Sequence, residues 1–303
     1  MSTALEAWKE GGEFISNGPN RFKIFVKQLG RQDATVQKTL LLLHGFPESS
    51  FSYHAVVSGL LEVFDRLILF DMLGYGLSDK PEKDYSYSLI EQADTAVKVW
   101  EHFEVKGGHL LAHDMGVSVA TEILARHEKD FLPVWFSEGL QSITFTNGSM
   151  VLELAELRIM QKLLLSKYGY LLKNISHFRL FNHQVKSAHG NKNLKDQEIQ
   201  NLWAAATLQD GHRIFYLTIK YLNDRKQFEK TRWLPSLQQT KLPIHICWGD
   251  EDAVAKVEMA YFLKKHICKN ATLTIMKGLG HFCQLGSPEK WVTYVRDFYE
   301  EIG

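Results

Sequence analysis

The chain has 303 residues, near the upper size that a single hydrophobic core serves, with 45% hydrophobic and 23% charged residues. Lys+Arg and Asp+Glu both number 35, and this zero net charge argues against nucleic acid as a partner, since a phosphate-binding surface carries a basic excess. Apolar runs such as Thr39 to Leu43 are too short to span a bilayer. With no signal-like pattern in Met1 to Phe14 and three cysteines that match no zinc or disulfide spacing, a cytoplasmic protein is expected.

Taken in chain order, Arg21 to Leu29, Thr39 to Leu43 and Arg66 to Asp71 are short runs of branched or aromatic residues and predict strands. Ser88 to Phe103 places Leu89, Ala93, Ala96, Val97, Trp100 and Phe103 on one helical face. Gly108 to Ala112 predicts a strand, Gly116 to His127 a helix and Leu140 to Thr146 a strand. This alternation implies an α/β fold with a mostly parallel sheet flanked by helices. From Gly148 to Arg232 the chain is helical in character, with a polar interruption at Lys186 to Asp196. Strand character returns at Pro243 to Trp248 and Ala271 to Met276 before a final helix, Pro288 to Ile302. The expected organisation is a core of residues 1–147 and 233–303, with a helical cap, 148–232, inserted after the sixth strand.

The segment GGHLLAHDMGVSVA runs from an apolar strand through a tight turn into a helix, the setting of a nucleophile elbow, and it places Asp114 where a serine usually stands. A carboxylate there attacks saturated carbon and forms an alkyl ester, which water must then hydrolyse. That second step needs a general base and an oxyanion hole. Asp is also a favoured helix N-cap, so Asp114 alone does not decide the matter. His281, in GLGHF after the last strand, is the expected base. Its orienting carboxylate is sought in WGDED, where Asp252 is preferred and Asp250 and Glu251 are read as turn residues. Phe46 and Met115 are the expected oxyanion-hole amides, and Pro47, which follows Phe46 in a tight turn, is expected to contact substrate. Asn147, at the end of a strand, is expected to orient water or substrate or to cap its turn. No His or Asp cluster has metal-ligand spacing, and the chemistry calls for no cofactor.

HGFPESS, DMLGYGLSDKP, HDMG, WGDED and GLGHF occur in the order seen in the epoxide-hydrolase and haloalkane-dehalogenase branch of the α/β-hydrolases, which the chain resembles over nearly its whole length. TNG, LWAAATLQDG and YLNDRKQF look most like the mesoderm-specific transcript-like members. The resemblance implies the α/β-hydrolase fold with a helical cap and an Asp114–Asp252–His281 triad. It also implies cap tyrosines that polarise an epoxide oxygen. Tyr221 in KYLNDR is favoured among Tyr168, Tyr170, Tyr216 and Tyr221, with Tyr168 or Tyr170 as a second contact to substrate. Haloalkane dehalogenases hold the departing halide with N–H donors, and neither the Phe46 nor the Met115 side chain can donate. The expected activity is therefore opening of a small hydrophobic epoxide by water to a vicinal diol. A dehalogenase is the alternative enzyme, and a non-catalytic lipid or hormone binder is the alternative of another class. Oligomeric state is left open.

Overall fold

The computed structural model describes residues 2–17 and 21–302. Eight strands form one sheet: β1 (Glu13–Asn17), β2 (Phe22–Gly30), β3 (Thr39–Leu43), β4 (Arg66–Phe70), β5 (Gly107–His113), β6 (Gly139–Thr146), β7 (Ile244–Gly249) and β8 (Thr272–Met276). Their spatial order is β1-β2-β4-β3-β5-β6-β7-β8. β2 pairs antiparallel with both β1 and β4, and the other pairings are parallel. β3, β4, β5 and β7 are buried at every position, which is why they read as unbroken apolar runs rather than alternating ones. β1 was not expected: it is a half-exposed edge strand, and its EFISN sequence lacks the alternation that marks one.

Apolar residues pack on both faces of the sheet. One face carries Ala93, Val99 and Trp100 of the helix Leu89–His102 and Ile123 and Leu124 of the helix Met115–His127. The other carries Leu5 and Trp8 of the helix Thr3–Lys9 together with Trp291, Val295 and Phe298 of the helix Pro288–Ile302. Burying two such faces on one central sheet is the dominant favourable contribution to folding.

The chain between β6 and β7 contains helices and no strand among the described residues, including Ile159–Leu165, Phe178–His189, Asp196–Thr207 and Tyr221–Phe228. The polar interruption in this region has a defined job. The helix Phe178–His189 ends at Gly190, whose φ is +94°, and a Cβ there would lie 1.8 Å from the Glu251 carbonyl oxygen. Only glycine lets the two backbones meet this closely. Beside it, Asn191 Nδ2 donates to the Gly278 carbonyl at 2.9 Å, and Asn193 Nδ2 donates to Ser287 Oγ at 2.8 Å. The interruption therefore clasps the inserted helices to the loops that follow β7 and β8.

One close backbone approach in the core lies at Gly116. A Cβ there would stand 2.5 Å from the His44 carbonyl oxygen and 2.7 Å from that of Leu43. Gly→Ala in a helix ordinarily stabilises by about 0.8–1 kcal/mol. Here the sign is expected to reverse: Gly116→Ala should cost about 1–3 kcal/mol through overpacking, measured by urea unfolding.

Candidate functional site

Asp114, Asn147, Asp252 and His281 all follow the C-terminal ends of parallel strands, the rim where open α/β sheets bind ligands. Asp114 sits in the turn between β5 and the helix Met115–His127, with φ 47° and ψ −114°. This conformation costs a non-glycine residue about 1–3 kcal/mol and persists only because its surroundings dictate it. Two glycines do so. Gly116 lets the helix abut the end of β3, and Gly45 leaves room for Asp114, since a Cβ at 45 would lie 2.6 Å from Asp114 Cβ. Asp114 occupies the helix N-cap position, yet its side chain makes no capping hydrogen bond. Instead, the Phe46 N–H donates to Asp114 Oδ2 at 2.8 Å.

His281 is buried, with Nδ1 2.8 Å from Asp252 Oδ2 and Nε2 3.7 Å from Asp114 Oδ1. The carboxylate beside Nδ1 fixes the proton there and turns Nε2 towards Asp114. Asp252 is itself held by the Val254 and Ala255 N–H groups, which donate to Oδ1 at 2.6 and 2.8 Å. Asn147 Nδ2 donates to Asp252 Oδ2 at 2.7 Å, and Asn147 Oδ1 accepts from the Gly249 N–H at 3.2 Å. Asn147 is thus wholly buried behind the acid and absent from the cavity wall, so the expected role in contacting substrate is corrected to one of positioning Asp252. Asp250 instead accepts from the Gly278 N–H at 2.7 Å and pairs with Lys277 at 3.2 Å, and Glu251 is exposed.

Burial pulls the His281 imidazole down, but the charge and hydrogen bond of Asp252, with Asp114 and Glu48, more than reverse this and raise it to about 9. Glu48 had no expected role, although it lies within the HGFPESS motif. Burial and then the Asp114 charge push its carboxyl up to about 8. It accepts from the Gly45 N–H at 3.1 Å and from Gln284 Nε2 at 2.8 Å. His113 Nε2 lies 3.5 Å from Glu48 Oε2, while His113 Nδ1 faces the Thr146 carbonyl at 3.1 Å and so carries the ring proton. Burial, followed by the His281 charge, depresses His113 to about 3, leaving a neutral lone pair at Nε2 towards the protonated Glu48 carboxyl. A turn glutamate ordinarily points to water; this one is buried against Gly45, His113 and the distant Gln284.

The inserted helices complete a cavity of about 1040 Å³, counting its open mouth, whose wall includes Asp114, His281, Phe46, Pro47 and Tyr221. The Phe46–Pro47 peptide is cis. Tyr221 is buried, and its hydroxyl has no hydrogen-bond partner among the described residues. Burial first, and the Asp114 charge second, hold that phenol well above its usual range, so it remains an O–H donor. The Arg225 guanidinium lies 4.9 Å from the Tyr221 ring centre, is buried, and has no carboxylate within 4 Å among the described residues. Met115 points into the core, where its Sδ accepts from the Tyr75 hydroxyl at 3.4 Å. Tyr168 and Tyr170 do not reach the cavity wall: both are exposed, beside and within the short 3₁₀ turn Gly169–Asn174. Their assignment to substrate is corrected accordingly. The second tyrosine of the wall is Tyr216, which precedes Tyr221 by little more than one helical turn.

The two raised groups make stability depend on pH with a definite sign. The folded His281 binds its proton up to about pH 9, against about 6.5 when unfolded, so its contribution is full below 6.5 and is lost as pH rises through 9. Glu48, raised from 4.5 to about 8, likewise holds a proton that the unfolded chain has released, and stability falls from about pH 4.5 up to 8. Unfolding free energy should therefore decline between pH 6.5 and 9. Glu48→Gln or His281→Gln should flatten that slope by up to about 1.4 kcal/mol per pH unit, measured by urea titration. Parallel slopes for parent and variants would contradict the assignment.

Residues 38–288 match the family model described as alpha/beta hydrolase fold. LipZ of Mycobacterium tuberculosis is 35% identical over 294 residues, covering 96% of each chain. The human mesoderm-specific transcript homolog protein is 29% identical over 299 residues, covering 95% of this chain and 85% of that one. Among solved structures, haloalkane dehalogenase DbeA from Bradyrhizobium elkani superposes with a TM-score of 0.77 at 19% identity, over 96% of this chain and 98% of that one. An eight-stranded, mostly parallel sheet flanked by helices, and a family model spanning most of the sequence, agree with one another: the chain belongs to the α/β-hydrolase family.

Proposed function

We propose that the protein opens a small hydrophobic epoxide to a vicinal diol through a covalent ester on Asp114, with residues 148–232 serving as the cap over the site. The observation that carries this reading is the Tyr221 hydroxyl, buried in the cavity wall with Asp114 and lacking a partner of its own. Haloalkane chemistry asks for side-chain N–H donors to a halide, and the side chains of Phe46 and Met115 supply none. Epoxide chemistry asks for an O–H donor to the ring oxygen, which Tyr221 supplies.

Asp114 Oδ2 is held by the Phe46 N–H, so Oδ1 is the oxygen free to attack. As Oδ1 bonds to the epoxide carbon, the ring C–O bond breaks and the oxygen takes the Tyr221 proton. The buried Arg225 cation favours the phenolate left behind. Esterification removes the negative charge of Asp114, one of the groups that raise His281, so the imidazolium gives its Nε2 proton to the Tyr221 phenolate and becomes the neutral base that the next step requires. His281 Nε2 takes a proton from water, and the hydroxide adds to Asp114 Cγ. The oxyanion formed at Oδ2 rests on the Phe46 N–H, already 2.8 Å away, and on that of Met115. Collapse expels the second diol oxygen, which takes the remaining hydroxyl proton, and leaves the Asp114 carboxylate again facing a protonated His281. Water is the second substrate and no cofactor enters.

A chemically diverse epoxide panel tests the reading. At least one hydrophobic epoxide should yield diol, and Asp114→Asn should lower turnover by about 10⁴-fold or more, as removal of a nucleophile does. Repeated turnover in oxygen-18 water should place the label in the Asp114 peptide. Diol formation with no label there would overturn the ester route, and halide release from a bromoalkane without diol from any epoxide would overturn the substrate class.

A further inference from the structure

Although the chain carries 35 acidic and 35 basic residues, residues 157–195 contain no Asp or Glu and eight Lys or Arg. Of the eight, Lys186 pairs with Asp196 at 2.5 Å, and among the described residues no carboxylate lies within 4 Å of the other seven. The same segment is unusually apolar at its surface. Ile159, Leu163, Tyr168, Tyr170, Leu171 and Ile175 are exposed, Ile159 to 78% and Ile175 to 55%. These six make up half of the twelve exposed large hydrophobic side chains among the described residues, gathered within 17 consecutive positions.

Neither feature suits open water alone. Clustered exposed apolar side chains mark an interaction site, and unpaired cations around them call for a negatively charged partner. Aliphatic and tyrosine side chains ringed by lysines match the interface of a bilayer, where rings lie at headgroup depth and lysine stems run along hydrocarbon while their ammonium groups meet lipid phosphates. Lys167 Nζ lies 5.0 Å from the Tyr168 ring centre, which places cation and ring at one depth. Six of the eight cations are lysine, a residue depleted from protein–protein interfaces, which favours lipid over an acidic protein. The cavity opens on this face too: Arg158, Lys173 and the exposed Ile175 belong both to the segment and to the cavity wall.

We propose that residues 158–179 dock the protein peripherally on an anionic lipid surface, with Ile159, Leu163 and Leu171 among the headgroups and the cavity mouth facing the bilayer. A hydrophobic substrate then passes from lipid to Asp114 without crossing water. The docking face stands on surface charge and exposure alone, independently of which bond Asp114 attacks.

Sedimentation of the full chain with phosphatidylcholine vesicles, with and without phosphatidylserine, tests it. Binding should require phosphatidylserine and weaken with added salt. Lys162→Ala/Lys167→Ala should reduce it by more than tenfold, at about fivefold per cation removed. Ile159→Ser/Leu163→Ser/Leu171→Ser should reduce it comparably while melting at the same temperature as the parent. Should the serine variant melt early, Lys162→Ala/Lys167→Ala, at exposed and unpaired positions, still decides. The proposal is overturned if phosphatidylserine vesicles bring down no protein. It is also overturned if a folded serine variant binds like the parent, or if soluble polyglutamate binds as tightly as the vesicles, which would indicate an acidic protein partner.

Discussion

The site depends on how closely the elbow after β5 approaches the end of β3. Gly116 and Gly45 strip two side chains from that contact, and the space they leave holds Asp114 in a backbone conformation that L-residues rarely adopt. The strain has a chemical return. It lifts the carboxylate clear of the helix it would otherwise cap and sets Oδ2 on the Phe46 amide, which leaves Oδ1 open to the cavity. Two large apolar faces on the sheet stabilise the fold against this local cost.

Around Asp114 the protein buries a second carboxylate, a third carboxyl and two imidazoles within one small volume, an arrangement that low dielectric would penalise severely if every group stayed charged. It is resolved by dividing the groups. His113 and Glu48 are driven neutral: both Glu48 oxygens accept hydrogen bonds and His113 Nδ1 meets Thr146, while His113 Nε2 is left without a hydrogen-bond partner among the described residues. His281 stays charged because Asp252 and Asp114 flank it. Asn147 and two backbone amides fix Asp252, and the clasp at His189 fixes the loop of His281, whose N–H donates to the His189 carbonyl at 2.9 Å. The inserted helices thereby do more than cover the cavity, since one of them helps to hold the histidine that faces Asp114.

What was legible in the sequence follows from what each residue touches. β3, β4, β5 and β7 were readable because a strand buried on both faces must be continuously apolar, Asp114 and Asp252 because they come shortly after two such strands, β5 and β7, and His281 because it lies in the glycine-bearing loop after β8. β1 escaped because an edge strand has only part of a face to bury. The burial of Glu48 and the place of Asn147 behind Asp252 depend on contacts across 236 and 105 residues, which no local pattern records. The early tyrosines misled for a related reason. In the inserted helices no strand end marks the active side, and Tyr168 and Tyr170 face outward while Tyr216 and Tyr221 face in.

The central claim is that Asp114 becomes covalently attached to the substrate and that His281 is needed only to release it. Intact-protein mass spectrometry of His281→Gln after incubation with an epoxide turned over by the parent tests this directly. The predicted result is a protein heavier by the mass of one epoxide, with the addition mapping to the peptide that contains Asp114 and absent from Asp114→Asn/His281→Gln. An unmodified His281→Gln protein, or an adduct on any other residue, would contradict the account.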